Sequence, residues 1–249
     1  MLLDVEDLLD FYATPLGQVV RRLLGRQIRA RWQNVSGQVV LGLGFASPYI
    51  GIYRHSALRL GALMPGSQGA LVWPSTGPTR SVLVDEAQLP LPDNSVDMLL
   101  VVHCLEAAGR PGPLLREIWR VLAPEGSLLL IVPNRRGVWA RFDRTPFGQG
   151  RPYSRGQLEQ LLVDATFTPI GWGNALHVPP IDRRRLLLGW APSLEKIGAS
   201  VCPGFGGVII VEAKKELIAP IGKVVRARAA TQLAPAPARG SAKSSSRQR

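Results

Sequence analysis

The chain has 249 residues, 46% of them hydrophobic, with a mean hydropathy of +0.09 and a formal net charge of +12. That length suits one α/β domain with additions, and no apolar run approaches the roughly 20 residues that a membrane helix needs. Cys104 and Cys202 match no metal or redox spacing, and the acidic start Met1-Leu2-Leu3-Asp4 has no basic leader, so reduced thiols and a cytoplasmic location are expected.

Asp4 to Trp32 reads as one or two amphipathic helices, with Leu8, Leu9, Tyr12, Leu16, Val19, Val20, Leu23 and Leu24 near helical spacing and a break at Pro15 and Gly17. They are either a cap over a substrate site or a layer packed on the sheet edge. Gln38 to Leu43 is expected as the first strand, followed by a glycine-bearing turn and a helix from Pro48 to Leu63. Ala70 to Trp73 is expected as the second strand. Only about eight residues then precede Val82 to Val84, too few for a crossover helix. Met98 to Val102 and Ser127 to Val132 are continuous apolar runs, the mark of strands buried on both faces. Between them Leu114, Leu115, Ile118, Val121 and Leu122 recur at helical spacing. Strand, helix, strand in that order implies a right-handed crossover in a parallel sheet.

Further on, Arg141 to Ser154 is a long loop rich in Gly, Pro, Arg and aromatics, and Ser154 is a candidate N-cap for a helix to Leu162. Phe167 to Ile170 and Gly207 to Glu212 supply the last strands. Pro179 to Ser200, with Arg183-Arg184-Arg185, is expected as an inserted helix. Residues 217–249 hold seven cationic side chains and no acid, within an Ala-, Pro- and Ser-rich composition that predicts a disordered tail. Such a tail binds anionic surfaces weakly through charge; it has no interleaved aromatics and no nucleic-acid module. The expected organisation is a helical cap at 1–35, an α/β domain at 36–216 and the tail at 217–249.

One stretch carries a resemblance. Asp85-Glu86-Ala87-Gln88-Leu89-Pro90, Asp97, His103-Cys104-Leu105-Glu106 and Leu115-Arg116-Glu117-Ile118-Trp119-Arg120-Val121-Leu122-Ala123-Pro124-Glu125-Gly126 resemble the class I S-adenosylmethionine-dependent methyltransferases, especially those with small-molecule, lipid or quinone acceptors. The resemblance implies a Rossmann-like, doubly wound, mostly parallel sheet. It also implies S-adenosylmethionine as cofactor, without a metal, and a small-molecule or lipid-like acceptor.

Residue by residue, the resemblance places the family's glycine-rich loop at Gly42, Gly44, Ala46 and Pro48, of which only Gly44 is retained. Gly42 stands where the family has an acid. Gly42, Gly44, Ala46, Ser47, Asp85, Glu86 and Ala87 are the expected cofactor contacts, with Asp85 accepting from the adenine amino group. Read from the residues alone, Asp85 is equally a strand-end acid that caps a turn. A second family acid, at the end of the second strand, is expected to be missing at Pro74. His103, beyond the fourth strand, is the candidate catalytic base, or else a pocket wall. Glu106 reads as a polar contact at a helix start. Arg135, Arg136, Arg144 and Arg151 either bind an anionic acceptor or are solvated. Methyl transfer is the expected activity; the two missing acids keep open the alternative of a catalytically inactive binding module.

Overall fold

The computed structural model describes residues 4–180 and 195–216, with 196 and 199 excepted. Asp4 caps α1 (Val5–Ala13) by accepting from the Glu6 backbone N–H. Thr14 then ends α1 and caps α2 (Pro15–Arg31), accepting from Gly17 N–H, with Pro15 in the first turn where its missing N–H costs nothing. The expected break falls here.

Seven strands follow: β1 (Val39–Gly44), β2 (Arg59–Pro65), β3 (Ser81–Val84), β4 (Val96–Val102), β5 (Leu122–Pro133), β6 (Thr168–Ala175) and β7 (Val208–Lys214). They form one sheet in the order β3-β2-β1-β4-β5-β7-β6. The first five are parallel, and β7 runs antiparallel between β5 and β6. The chain order reverses between β1 and β4, the switch point outside which open α/β sheets bind ligands. α4 (Pro111–Val121) bridges β4 to β5, and α5 (Arg155–Asp164) precedes β6. Ser154 and Gln157 close a reciprocal capping box at the start of α5.

Alternation along the strands divides the core between the two faces. Val40, Leu100, Val102, Leu129, Ile131 and Ile210 pack with α1 and α2. Leu41, Leu43, Leu99, Val101, Leu128, Leu130 and Val211 pack with α4 and α5. Both faces of the central strands are therefore dry, which is why β4 and β5 read as unbroken apolar runs.

Two expectations need correction. The helix at Pro48 to Leu63 is only a short α3 (Ser47–Ile50) with a 3-10 turn at Gly51–Tyr53, because the chain has already entered β2 by Arg59. Ala70 to Trp73 is not a strand but a loop, with Val72 exposed. Its Leu71 carbonyl and Trp73 N–H are held by the Ser81 hydroxyl. The β2–β3 crossover thus spans 66–80 without a helix, and Val82 and Leu83 on the edge strand stay exposed. The predicted insertion around Arg183 and the tail lie outside the described residues.

Candidate active site

The candidate residues stand at the carboxyl ends of β1 to β4. Gly44 ends β1 at φ +80, where a Cβ would sit 2.3 Å from the Val102 carbonyl and 2.7 Å from Cys104 Cβ. Only glycine takes this turn, and it lets Phe45 N–H donate to the Val102 carbonyl at 2.9 Å. Gly42 has no room for the acid that the family pattern expects. Its Cβ would meet Ala46 Cβ at 2.6 Å and Ile50 Cδ1 at 3.1 Å. Ala46 and Ser47 are buried, and Pro48 lies in the first turn of α3.

The second missing acid must be moved. β2 ends at Met64 and Pro65, not at Trp73, so the neutral position is Pro65, followed by Gly66 and Ser67. Pro74 is a loop residue. Gly66 and Ser67 face Leu83, Val84, Asp85 and Glu86 across a cleft of about 450 Å³. Asp85 Oδ1 accepts from the Ala87 backbone N–H at 2.8 Å, so it caps the turn with one oxygen. Burial, and then Asp85, push the Glu86 carboxyl upward.

His103 follows β4 directly, fully buried, with φ +53. A non-glycine residue in that region stores strain and is held by its surroundings. The Gln68 side-chain amide donates to the His103 carbonyl. His103 Nε2 lies 2.9 Å from Tyr12 Oη, and Tyr12 Oη lies 2.7 Å from Tyr49 Oη. On the other side His103 Nδ1 is 3.3 Å from Glu106 Oε1, an ion-pair distance off the hydrogen-bond direction. Glu106 is 3% exposed, and neither carboxylate oxygen accepts a hydrogen bond among the described residues. It belongs to a turn rather than a helix start, since α4 begins at Pro111. Phe147 lies 4.8 Å from the His103 ring, and Phe45 stacks on Tyr12 at 5.4 Å. Burial first, then Tyr49 and Glu106, hold the Tyr12 phenol well above its ordinary value of 10. Burial, with Glu86 and Glu106, likewise keeps Cys104 a thiol.

The structure places Asp85 and Glu86 on one cleft and buries Gly42, Gly44 and Ala46 at the β1 turn, while His103 is fully buried and is not part of that cleft's lining. Tyr12, Gln68, Glu106 and Phe147 surround His103, and of these only Glu106 stands out in the sequence as a polar contact. Tyr12 reads there as one member of an apolar stripe. Arg135, Arg136, Arg144 and Arg151 are all exposed. No group of three or more His, Cys, Asp or Glu residues able to hold a metal occurs among the described residues. No described helix is long and apolar enough to cross a membrane.

The Methyltransferase domain family matches residues 68–130. Two curated proteins from strains of Mycobacterium tuberculosis, each described as a probable S-adenosylmethionine-dependent methyltransferase, are 34% identical to the chain over 95 residues. The match covers 37% of this chain and 34% of theirs. The chain thus spans about a third of the length of the curated relatives it matches. Over that stretch the chain is similar to class I S-adenosylmethionine-dependent methyltransferases. Solved structures agree on the fold. A methyltransferase from Archaeoglobus fulgidus superposes with a TM-score of 0.55 at 15% identity, covering 78% of this chain and 94% of that one. One from Mesorhizobium loti gives 0.53 at 18% identity, covering 76% and 96%. The [4+2]-cyclase SpnF gives 0.53 at 20% identity, covering 78% and 80%.

The methyltransferase cofactor fits this crevice at its nucleoside end. The cleft at Gly66 and Asp85 is open, lies at the carboxyl ends of β2 and β3 and is of small-molecule size. Asp85 Oδ2 accepts no bond among the described residues. The amino-acid end is crowded: around His103 the crevice is filled by Phe45, Tyr12 and Gln68, and no acid stands at Gly42.

Proposed function

We propose that this protein transfers a methyl group from S-adenosylmethionine to a small-molecule or lipid-like acceptor. The observation that carries this reading is the open cleft at the carboxyl ends of β2 and β3, with Asp85 and Glu86 on its wall, within the stretch that matches the family. When bound there, the cofactor supplies a methyl group on a sulfonium, which leaves as a neutral thioether with the electron pair of the broken C–S bond. The chain's own part is to hold and align. Asp85 accepts from the adenine amino group, and Gly66 and Ser67 approach the ribose by backbone. Gly44 keeps the β1 turn tight against β4. Alignment of donor and acceptor is the main demand of such a displacement. Tyr12 and Gln68 cover His103, so α1 and the 66–69 turn withdraw to admit the amino-acid end.

A second reading, a binding module without turnover, draws on the acid excluded at Gly42 and the neutral end of β2. The [4+2]-cyclase SpnF has the same fold, and a fold alone does not fix chemistry. Incubation of the full chain with methyl-tritiated S-adenosylmethionine and a panel of hydroxyl, thiol, amine and carboxylate acceptors decides between them. Label in an organic-extractable product supports transfer. A full panel without label, in a protein that binds the cofactor, supports the second reading.

A further inference from the structure

The buried Glu106 carboxylate is the least explained group in the site. It is 3% exposed, and among the described residues neither oxygen has a hydrogen-bond donor; His103 Nδ1, itself without a hydrogen-bond partner there, lies 3.3 Å from Oε1. A buried carboxylate is tolerated only beside a donor or a cation. His103 is that partner, which places its proton on Nδ1 and leaves Nε2 with a lone pair. Nε2 lies 2.9 Å from the Tyr12 hydroxyl, which donates to it in that tautomer. Carboxylate, imidazole and hydroxyl stand in the order by which a general base activates an oxygen nucleophile.

Tyr12 does not come from the sheet. It hangs from α1, the segment that covers the crevice. Its ring lies in an aromatic box of Phe45 at 5.4 Å and Tyr49 at 6.0 Å, while Phe147 backs the imidazole. Away from His103 the same ring borders an open cleft of about 440 Å³ lined mostly by apolar residues, Leu9, Phe45, Pro48, Leu71 and Trp73 among them, with Arg21 and Ser75 as polar members. A phenol thus separates a solvent-open, largely apolar cleft from a buried base.

We propose that the acceptor is a hydroxyl compound with a flat, apolar or aromatic body, and that its O–H replaces that of Tyr12 on His103 Nε2. This rests on the methyl-transfer reading and names its substrate class. As the acceptor oxygen forms its new bond, its proton passes to Nε2, and the imidazolium is held by Glu106 until the proton returns to solvent. His103 touches the reacting hydroxyl; Glu106 is a positioning residue that fixes the tautomer. The surroundings select against other acceptors. A carboxylate would face Glu106. A neutral amine needs no base before it attacks, and a thiol ionises near pH 8.5 unaided, whereas a hydroxyl gains most from one.

The test uses p-cresol, the side chain that Tyr12→Ala removes, and toluene, its shape without the hydroxyl, each titrated calorimetrically without cofactor. Tyr12→Ala is expected to bind p-cresol at least tenfold more tightly than toluene. Glu106→Gln and His103→Phe, each added to Tyr12→Ala, are expected to abolish that preference, and Glu106→Asp to restore part of it. Equal affinity for the two probes in folded Tyr12→Ala, or a preference unchanged by Glu106→Gln, overturns the proposal. Should Tyr12→Ala not fold, nitrogen-15 shifts of the His103 ring in the unaltered chain decide: protonated Nδ1 with bare Nε2 is expected, and protonated Nε2 contradicts it. None of these readouts needs the cofactor, so their failure is distinct from a failure to bind S-adenosylmethionine.

Discussion

At the scale of the residue, the turn after β1 explains why a weak motif still makes a site. Gly44 is fixed by its positive φ and by the Val102 carbonyl 2.3 Å from its would-be Cβ. Gly42 is fixed by packing, since Ala46 and Ile50 occupy the space of a side chain. Restoring the family's acid with Gly42→Asp is therefore expected to destabilise the fold by about 2–4 kcal/mol, through overpacking and a buried charge, without tightening cofactor binding. Urea denaturation with a parallel cofactor titration checks this; a stable variant with improved affinity would contradict it. The places of Gly44 at the end of β1 and Asp85 after β3 were legible because they lie inside a pattern of local spacing. Tyr12, Tyr49, Gln68 and Phe147 were not, because Tyr12 meets His103 across 91 positions and Gln68 meets it across 35. Glu106 was noticed but misplaced: a turn at 103–106 and a helix start share the same polar composition.

At the scale of the element, α4 does more than bridge β4 to β5. Arg120 bonds Glu117 at 2.6 Å and Asp93 at 2.5 Å, and it donates to the carbonyls of Leu89 and Leu91. Glu117 in turn accepts from Leu89 N–H at 2.8 Å. The helix thereby holds the loop that carries Asp85 away from β3. The Arg120 hydrogen bond is the chief cause that lowers the Glu117 carboxyl below its ordinary 4.5. A depressed folded pKa means that the unfolded chain binds more protons, so stability rises with pH in that window. The contribution is complete above about pH 4.5 and is lost as pH falls through the depressed value. Glu117→Gln is expected to flatten this acid limb, so the stability gap to wild type narrows on acidification; an equal gap at pH 3 and pH 7 would contradict it. The helices and central strands were legible because periodicity and burial agree in them. β2 was not, since Tyr49, Ile52, Tyr53 and Leu60 mimic a helical stripe, and Arg59–Pro65 has none of the β-branched residues that mark strands. Ala70 to Trp73, more strand-like in sequence, is a loop, because the place beside β1 was already taken.

At the scale of the whole molecule, the strand order places the reversal between β1 and β4, and every candidate cofactor residue falls at that end of the sheet. This architecture was legible from the apolar runs and the resemblance together. The trimmed β2–β3 crossover was foreseen as a missing helix, though its boundaries moved with β2. What sequence spacing does not reveal is that the crevice is divided. Its nucleoside end is open, and the end around His103 is covered by α1 and Gln68.

The central claim is that this crevice binds the methyltransferase cofactor, and calorimetric titration of the full chain with S-adenosylhomocysteine tests it most directly. The account predicts one site per chain with micromolar affinity, weakened at least tenfold by Asp85→Ala, as expected for loss of a hydrogen bond to a charged group worth about 1.5–3 kcal/mol. Asp85→Asn, which keeps the turn cap, separates loss of the ligand contact from loss of the turn. No heat of binding at millimolar ligand, from a protein with a cooperative thermal transition, would contradict the account.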